Sequence, residues 1–213
     1  MKILLLQPRL EDALSQLREA LHDYPGIDAV VFPEGYLNEN VEEARKLAEQ
    51  HGVILIGGYR KLQERPKDQA IIIGRSGEIA LNRVKYSDTA FISQAGLTVG
   101  IMLCDELVLQ GVKSEEFPSP DLIVHCIGVG MFSKEQFDEW TGLAQEMART
   151  YCTYMIGVSH ADGFYRDSTV SIPIAYAFDR EGNVIFIAEN DTRPRTWDTV
   201  SNEVIVRQTL ETL

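Results

Sequence analysis

Three residues, Glu34, Lys85 and Cys104, stand where a folded chain can turn side chains into reagents. Cys104 closes an apolar run over residues 97–103 and is followed at once by Asp105 and Glu106, so a polar pair interrupts the run at the thiol. Glu34 follows the β-branched run 28–32 through Pro33, which puts it at the carboxyl end of a strand, where clefts of open α/β folds form. Lys85 lies in residues 81–86, with Arg83 and Asp88 as its near charged neighbours. A free thiol, with a pKa of roughly 8.5, is only a few per cent thiolate near neutrality, so chemistry at a cysteine needs neighbours. Taken singly, each residue has an ordinary reading: a solvated loop carboxylate, a surface lysine, a buried structural cysteine. Cys126, inside an apolar run, and Cys152, at the end of a long helical pattern, have nothing near them in sequence to activate a thiol.

The elements that must position these residues alternate along the chain. Residues 2–7 form a compact apolar run ended by Pro8, and 11–22 place Ala13, Leu14, Leu17 and Leu21 at helical spacing. The unit repeats with a strand over 28–32 and a helix over 41–50, closed by Gly52. Strands are expected over 53–59 and 69–74, the latter entering a hairpin through Arg75, Ser76, Gly77 and Glu78. Further strands are expected over 97–104, 121–128, 155–159, 172–178, 184–188 and 203–207. A helix over 135–151 carries Phe137, Trp140, Leu143, Ala144 and Met147 on one face.

This order predicts one α/β domain over residues 1–213, a sandwich of mixed sheets covered by helices. An open doubly wound sheet competes by pattern alone. The first turn is Gln7-Pro8-Arg9-Leu10, not a glycine-rich dinucleotide loop, and Gly57-Gly58 lacks the Lys-Ser/Thr of a phosphate-binding loop.

The formal net charge of −12, from 20 Lys and Arg against 32 Asp and Glu, repels phosphate backbones and anionic membrane surfaces, so neither nucleic acid nor membrane is expected as a partner. Three cysteines cannot all pair within one chain, and none has metal-site spacing; a reducing cytoplasm fits. The apolar start is too short for a signal-peptide core or a membrane span.

The ordered segments FPE (Phe32 to Glu34), NRVKYS (Asn82 to Ser87) and GIMLCDE (Gly100 to Glu106), each at a strand end, resemble the glutamate, lysine and cysteine segments of the nitrilase superfamily of carbon–nitrogen hydrolases. MKILLLQP, GGYR, PDLIVH, Trp140 and the hairpin at Asp179 to Gly182 agree in order, so the resemblance spans nearly the whole chain. It implies a four-layer α-β-β-α sandwich of mixed sheets. Glu34 would be the base and Cys104 the nucleophile of an acyl-enzyme; Lys85 and the backbone N–H of Asp105 would stabilise the oxyanion, with Lys85 also protonating the leaving group. The resemblance implies a small linear amide or carbamoyl substrate, no metal or organic cofactor, and a homodimer. An acyltransferase with the same three residues, or a catalytically silent binding protein, remain alternatives. Tyr59, Phe132 and His160, with His125 and Asp162, are candidates for the substrate wall, although a lone histidine is more often structural.

The sequence departs from the family pattern twice. No glutamate lies between Lys85 and Cys104, where the family carries a second pocket carboxylate; Asp88 is the one acid in that interval. After the cysteine, Val108 stands where an arginine is usual, so the loop there must be held differently.

Overall fold

The computed structural model describes residues 1–113 and 119–207. In chain order the elements are β1 (Lys2–Leu5), α1 (Ser15–Asp23), β2 (Ala29–Val31), α2 (Val41–His51), β3 (Ile54–Arg60), β4 (Asp68–Ile73) and β5 (Ile79–Val84). There follow β6 (Phe91–Gln94), β7 (Leu97–Leu103), α3 (Glu106–Leu109), β8 (Leu122–Cys126), α4 (Lys134–Tyr151) and β9 (Tyr154–Val158). The last are β10 (Ile174–Phe178), β11 (Val184–Glu189), β12 (Arg195–Asp198) and β13 (Val204–Val206).

Among the described residues the strands form two sheets, one of seven in the order β13, β12, β1, β2, β3, β4, β5 and one of six in the order β11, β10, β9, β8, β7, β6. Each has a parallel centre, β1-β2-β3 and β7-β8-β9, flanked by antiparallel strands. Strand alternation divides the apolar residues among three interfaces. Ile3, Leu5, Val31, Ile54, Ile56, Ala70 and Ile72 meet Ile101, Leu103, Val124, Ile156 and Ala177 between the sheets. Leu4, Val30, Phe32, Leu55 and Ile71 point outward under α1 and α2, and Met102, Ile123, Tyr176 and Phe178 point outward under α4. The result is a four-layer α-β-β-α sandwich, as the chemistry-bearing segments implied.

Boundaries moved where side chains compete with the helix. The first helix begins at Ser15, not near residue 11, because Glu11 Oε1 accepts from the Gln16 N–H at 3.0 Å and its carbonyl accepts from Asn38 at 2.8 Å. Ser133 caps α4 by accepting from the Gln136 N–H at 3.2 Å. Leu143, expected on its buried face, is exposed, and Thr141 and Ala148 are buried instead. β6 and β12 were not foreseen; RTWD in β12 offers one strongly apolar residue, Trp197. No helix of the described residues is long and apolar enough to cross a membrane.

Candidate active site

Glu34 leaves the end of β2 on a tightly held backbone. The Phe32 N–H still bonds to the Ile56 carbonyl at 3.0 Å, and the Pro33 carbonyl accepts from Gly58 at 3.3 Å. Gly58 must be a glycine: a Cβ there would lie 2.7 Å from Glu34 Cα. The Glu34 carboxyl is buried, and burial raises its pKa to about 7; Lys85 pulls it down, and Asp68 and Asp105 push it up.

Lys85 continues the alternation of β5, in which Leu81, Arg83 and Lys85 are all buried toward the other sheet. Its ammonium lies 2.8 Å from Glu34 Oε1 and 2.8 Å from Asp105 Oδ1. Burial opposes its charge, but Glu34, the Cys104 sulfur and Asp105 outweigh that and hold its pKa above the ordinary lysine value. The Tyr86 hydroxyl donates to both Asp105 oxygens, at 3.1 and 2.9 Å. Asp105 therefore supplies the second carboxylate on the lysine. Asp88 does not, because it pairs with Lys113 on the surface.

Cys104 ends β7 in the left-handed region, at φ +45°, a conformation that costs a non-glycine residue on the order of 1–2 kcal/mol. Surrounding bonds hold it there. Its N–H donates to the Cys126 carbonyl at 2.9 Å, and its carbonyl accepts from His125 Nε2 at 2.7 Å. The other ring nitrogen, Nδ1, accepts from the Tyr176 hydroxyl at 2.5 Å, and burial depresses the His125 pKa to about 4, keeping the ring neutral. Sulfur and base converge: a Cβ built on Gly128 would lie 3.2 Å from Glu34 Oε2 and 3.8 Å from Cys104 Sγ. Burial, then the Glu34 charge, pushes the thiol up to about 12, against the pull of Lys85 and the Gly128 backbone. The next N–H, that of Asp105, has no acceptor among the described residues.

Glu106 joins the two segments. One carboxylate oxygen accepts from Arg83 Nη1 at 2.8 Å and the Tyr86 N–H at 2.6 Å; the other accepts from Arg83 Nη2 at 2.6 Å and the Leu103 N–H at 2.7 Å. Both side chains are fully or almost fully buried. The cation missing at Val108 is thus Arg83, reaching from the opposite sheet.

A cavity of about 370 Å³ opens onto Glu34, Lys85 and Cys104. Phe132 stands on its wall, half exposed and stacked on Tyr165 at 5.9 Å. Three other candidates lie elsewhere. Tyr59 packs in the outer core beside α2 and donates its hydroxyl to Asn82 at 3.1 Å. His160 is buried behind the site, its Nδ1 on the Gly128 carbonyl, facing a smaller cavity with Tyr36 and Asn38; burial keeps it neutral, with a pKa of about 4. Asp162 accepts from the Leu10 N–H at 2.7 Å. Arg60, Lys67, Asp68, Trp140 and Arg166 also line the cavity; Arg60, in GGYR, and Trp140 belong to segments that carried the resemblance, and no short motif marked the other three. Among the described residues there is no group of three or more His, Cys, Asp or Glu that could hold a metal ion.

No family model and no curated protein matches the chain. Solved structures do match. A carbon–nitrogen hydrolase superfamily protein from Xanthomonas campestris, with an arsenic adduct in its active site, superimposes with a TM-score of 0.76 at 13% identity, over 95% of this chain and 92% of its own. An amidase from Nesterenkonia sp. gives 0.73 at 11% identity, over 91% and 88%. Nit3 of Saccharomyces cerevisiae, from branch 10 of the nitrilase superfamily, gives 0.71 at 15%, also over 91% and 88%. The chain has the nitrilase fold; at these identities the likeness establishes the fold alone.

Proposed function

We propose that the protein is a divergent member of the nitrilase superfamily and a cysteine-dependent hydrolase of the carbon–nitrogen bond in a small linear amide or carbamoyl compound. The observation that carries this reading is the convergence of a carboxyl with a pKa of about 7 and a strained thiol on Gly128, with one ammonium 2.8 Å from that carboxyl. The nitrilase fold around them supports it.

With the thiol pKa near 12, a thiolate formed in advance is unfavourable, so the proton passes from Sγ to Glu34 as sulfur bonds to the amide carbon. The oxyanion takes the Lys85 ammonium and the Asp105 N–H; losing one such donor raises the barrier by on the order of 3–4 kcal/mol. The carbon–nitrogen bond then breaks, the leaving nitrogen takes the proton from Glu34, and a thioester remains on Cys104. Water attacks the thioester as Glu34 removes its proton, and the departing sulfur recovers that proton as the acid leaves. Asp105 keeps the ammonium between two carboxylates, fixing it beside the sulfur.

The test uses a Cys152→Ser background, since Cys152 is exposed and Cys126 buried. Ammonia release from a panel of small amides is compared with Cys104→Ala, and alkylation is followed by intact mass. One label at Cys104, with ammonia release lost in Cys104→Ala, is expected. An inert Cys104, or undiminished release without it, would overturn the reading; release stimulated by added amines would redirect it to acyl transfer.

A further inference from the structure

We infer that His125 and Tyr176 are positioning residues of the oxyanion site, a buried hydrogen-bond chain that polarises and aims the peptide between Cys104 and Asp105. The inference rests on reading Cys104 as the nucleophile of an amide hydrolase. Neither side chain touches the substrate; both act through that one peptide group.

Four residues stand in a row across the second sheet: Met102 on β7, His125 on β8, Gly157 on β9 and Tyr176 on β10. Gly157 leaves the gap the row needs, since a Cβ there would lie 2.7 Å from the Tyr176 hydroxyl oxygen. Tyr176 therefore reaches across β9 to His125 Nδ1, at 2.5 Å, and Trp140 of α4 stacks on the imidazole with ring centres 5.6 Å apart. Met102, Ile123, Met155 and Phe178 make this layer apolar, a place where a polar group without partners is costly. Packing alone is served as well by apolar side chains, so it does not account for the pair.

The last acceptor sets the direction of the chain. The Cys104 carbonyl, 2.7 Å from Nε2, can only accept, so Nε2 carries the ring proton and Nδ1 accepts from the phenol. Burial keeps the ring neutral and holds the phenol well above the usual tyrosine range. No proton changes hands. The carbonyl also accepts from the Leu107 N–H, at a longer 3.3 Å. Drawing electron density onto that oxygen makes the N–H of the same peptide, that of Asp105, a stronger donor. The bond also fixes the peptide plane beside a cysteine held at φ +45°.

The experiment follows amide turnover and Cys104 alkylation by an alkyl iodide side by side in the Cys152→Ser background, because alkylation develops no oxyanion. Tyr176→Phe removes one hydroxyl; cooperative strengthening of roughly 10–30% per bond predicts a kcat about two- to tenfold lower, with KM and the alkylation rate unchanged. His125→Leu should lose more, and His125→Gln, whose amide still donates toward the carbonyl, should recover part of it. An unchanged kcat in Tyr176→Phe, or turnover and alkylation falling together, overturns the inference and leaves amide hydrolysis standing. NMR of the parent needs no variant to fold: a proton on Nδ1 instead of Nε2 of His125 refutes the chain. If the parent hydrolyses no amide, the proposed function fails and the Asp105 amide nitrogen decides the inference alone. An upfield shift of its resonance in Tyr176→Phe supports the chain, and an unmoved resonance refutes it.

Discussion

Replacing Glu106 by glutamine should damage stability and turnover together, for reasons that can be separated. The carboxylate accepts four hydrogen bonds, two from Arg83 and one each from the Tyr86 and Leu103 N–H groups. Glutamine keeps one accepting oxygen and turns an NH2 group toward the other two donors. Arg83, only 4% exposed in its side chain, is left without a counter-charge. Breaking a buried pair in this way costs about 3–5 kcal/mol. For a chain of this size that lowers the melting temperature by roughly 6–20 °C. Tyr86 and Leu103 adjoin Lys85 and Cys104, so releasing them misplaces both reacting groups, and a ~1 Å error costs on the order of 100-fold in turnover. The double variant Arg83→Met with Glu106→Leu removes the charge with its partner and should recover part of the stability but not the turnover. Thermal melts and ammonia release on parent, single and double variants decide it. A Glu106→Gln protein melting within about 2 °C of the parent, or a double variant with parental turnover, would refute the reasoning.

Other outcomes follow from the same geometry. Activity should fall as pH drops through about 7, where Glu34 gains its proton, read as the acid limb of kcat/KM. The stability sign is opposite to that of a carboxyl stabilised by pairing. Folding raises the Glu34 pKa from 4.5 to about 7, so its contribution is present below about 4.5 and is lost as pH rises through 7. Melts from pH 4 to 8 on parent and Glu34→Gln should therefore diverge across that window. Asp105→Asn removes a charge that raises the Glu34 pKa and frees Lys85 for Glu34, so the acid limb should move to lower pH as amide turnover falls. Gly128→Ala puts a methyl group 3.2 Å from Glu34 Oε2, and kcat should fall by about tenfold or more with little change in melting. Val108, Leu109 and Leu143 expose apolar surface on α3 and α4, and we expect two copies to pack there; a monomer mass by light scattering would contradict this.

Much of the fold was legible because alternation and helical spacing report burial directly. The strands around Val30, Leu55, Ile71, Ile101 and Val124 were expected from apolar runs, and each is buried. β6 and β12 escaped because FISQ and RTWD take their strand form from partners across the sheet, not from apolar content. The alternation Leu81, Arg83, Lys85 held a signal for the Arg83–Glu106 bond, since it places the arginine and lysine on one face. Spacing alone does not say that the arginine meets a glutamate on another sheet.

What the sequence determined by itself was the order of the strands and the chemical types at their ends: a carboxylate after Pro33, an ammonium after Val84, and a thiol after Leu103. Tertiary structure decided which groups meet. It brought Asp105 onto Lys85 in place of the absent glutamate, sent Asp88 to the surface, and turned Tyr59 and His160 away from the cleft. Hydrophobic periodicity is local and fixes which face of an element is buried. A hydrogen bond or ion pair depends on atoms within about 3 Å, and those distances arise only when two sheets close on one another.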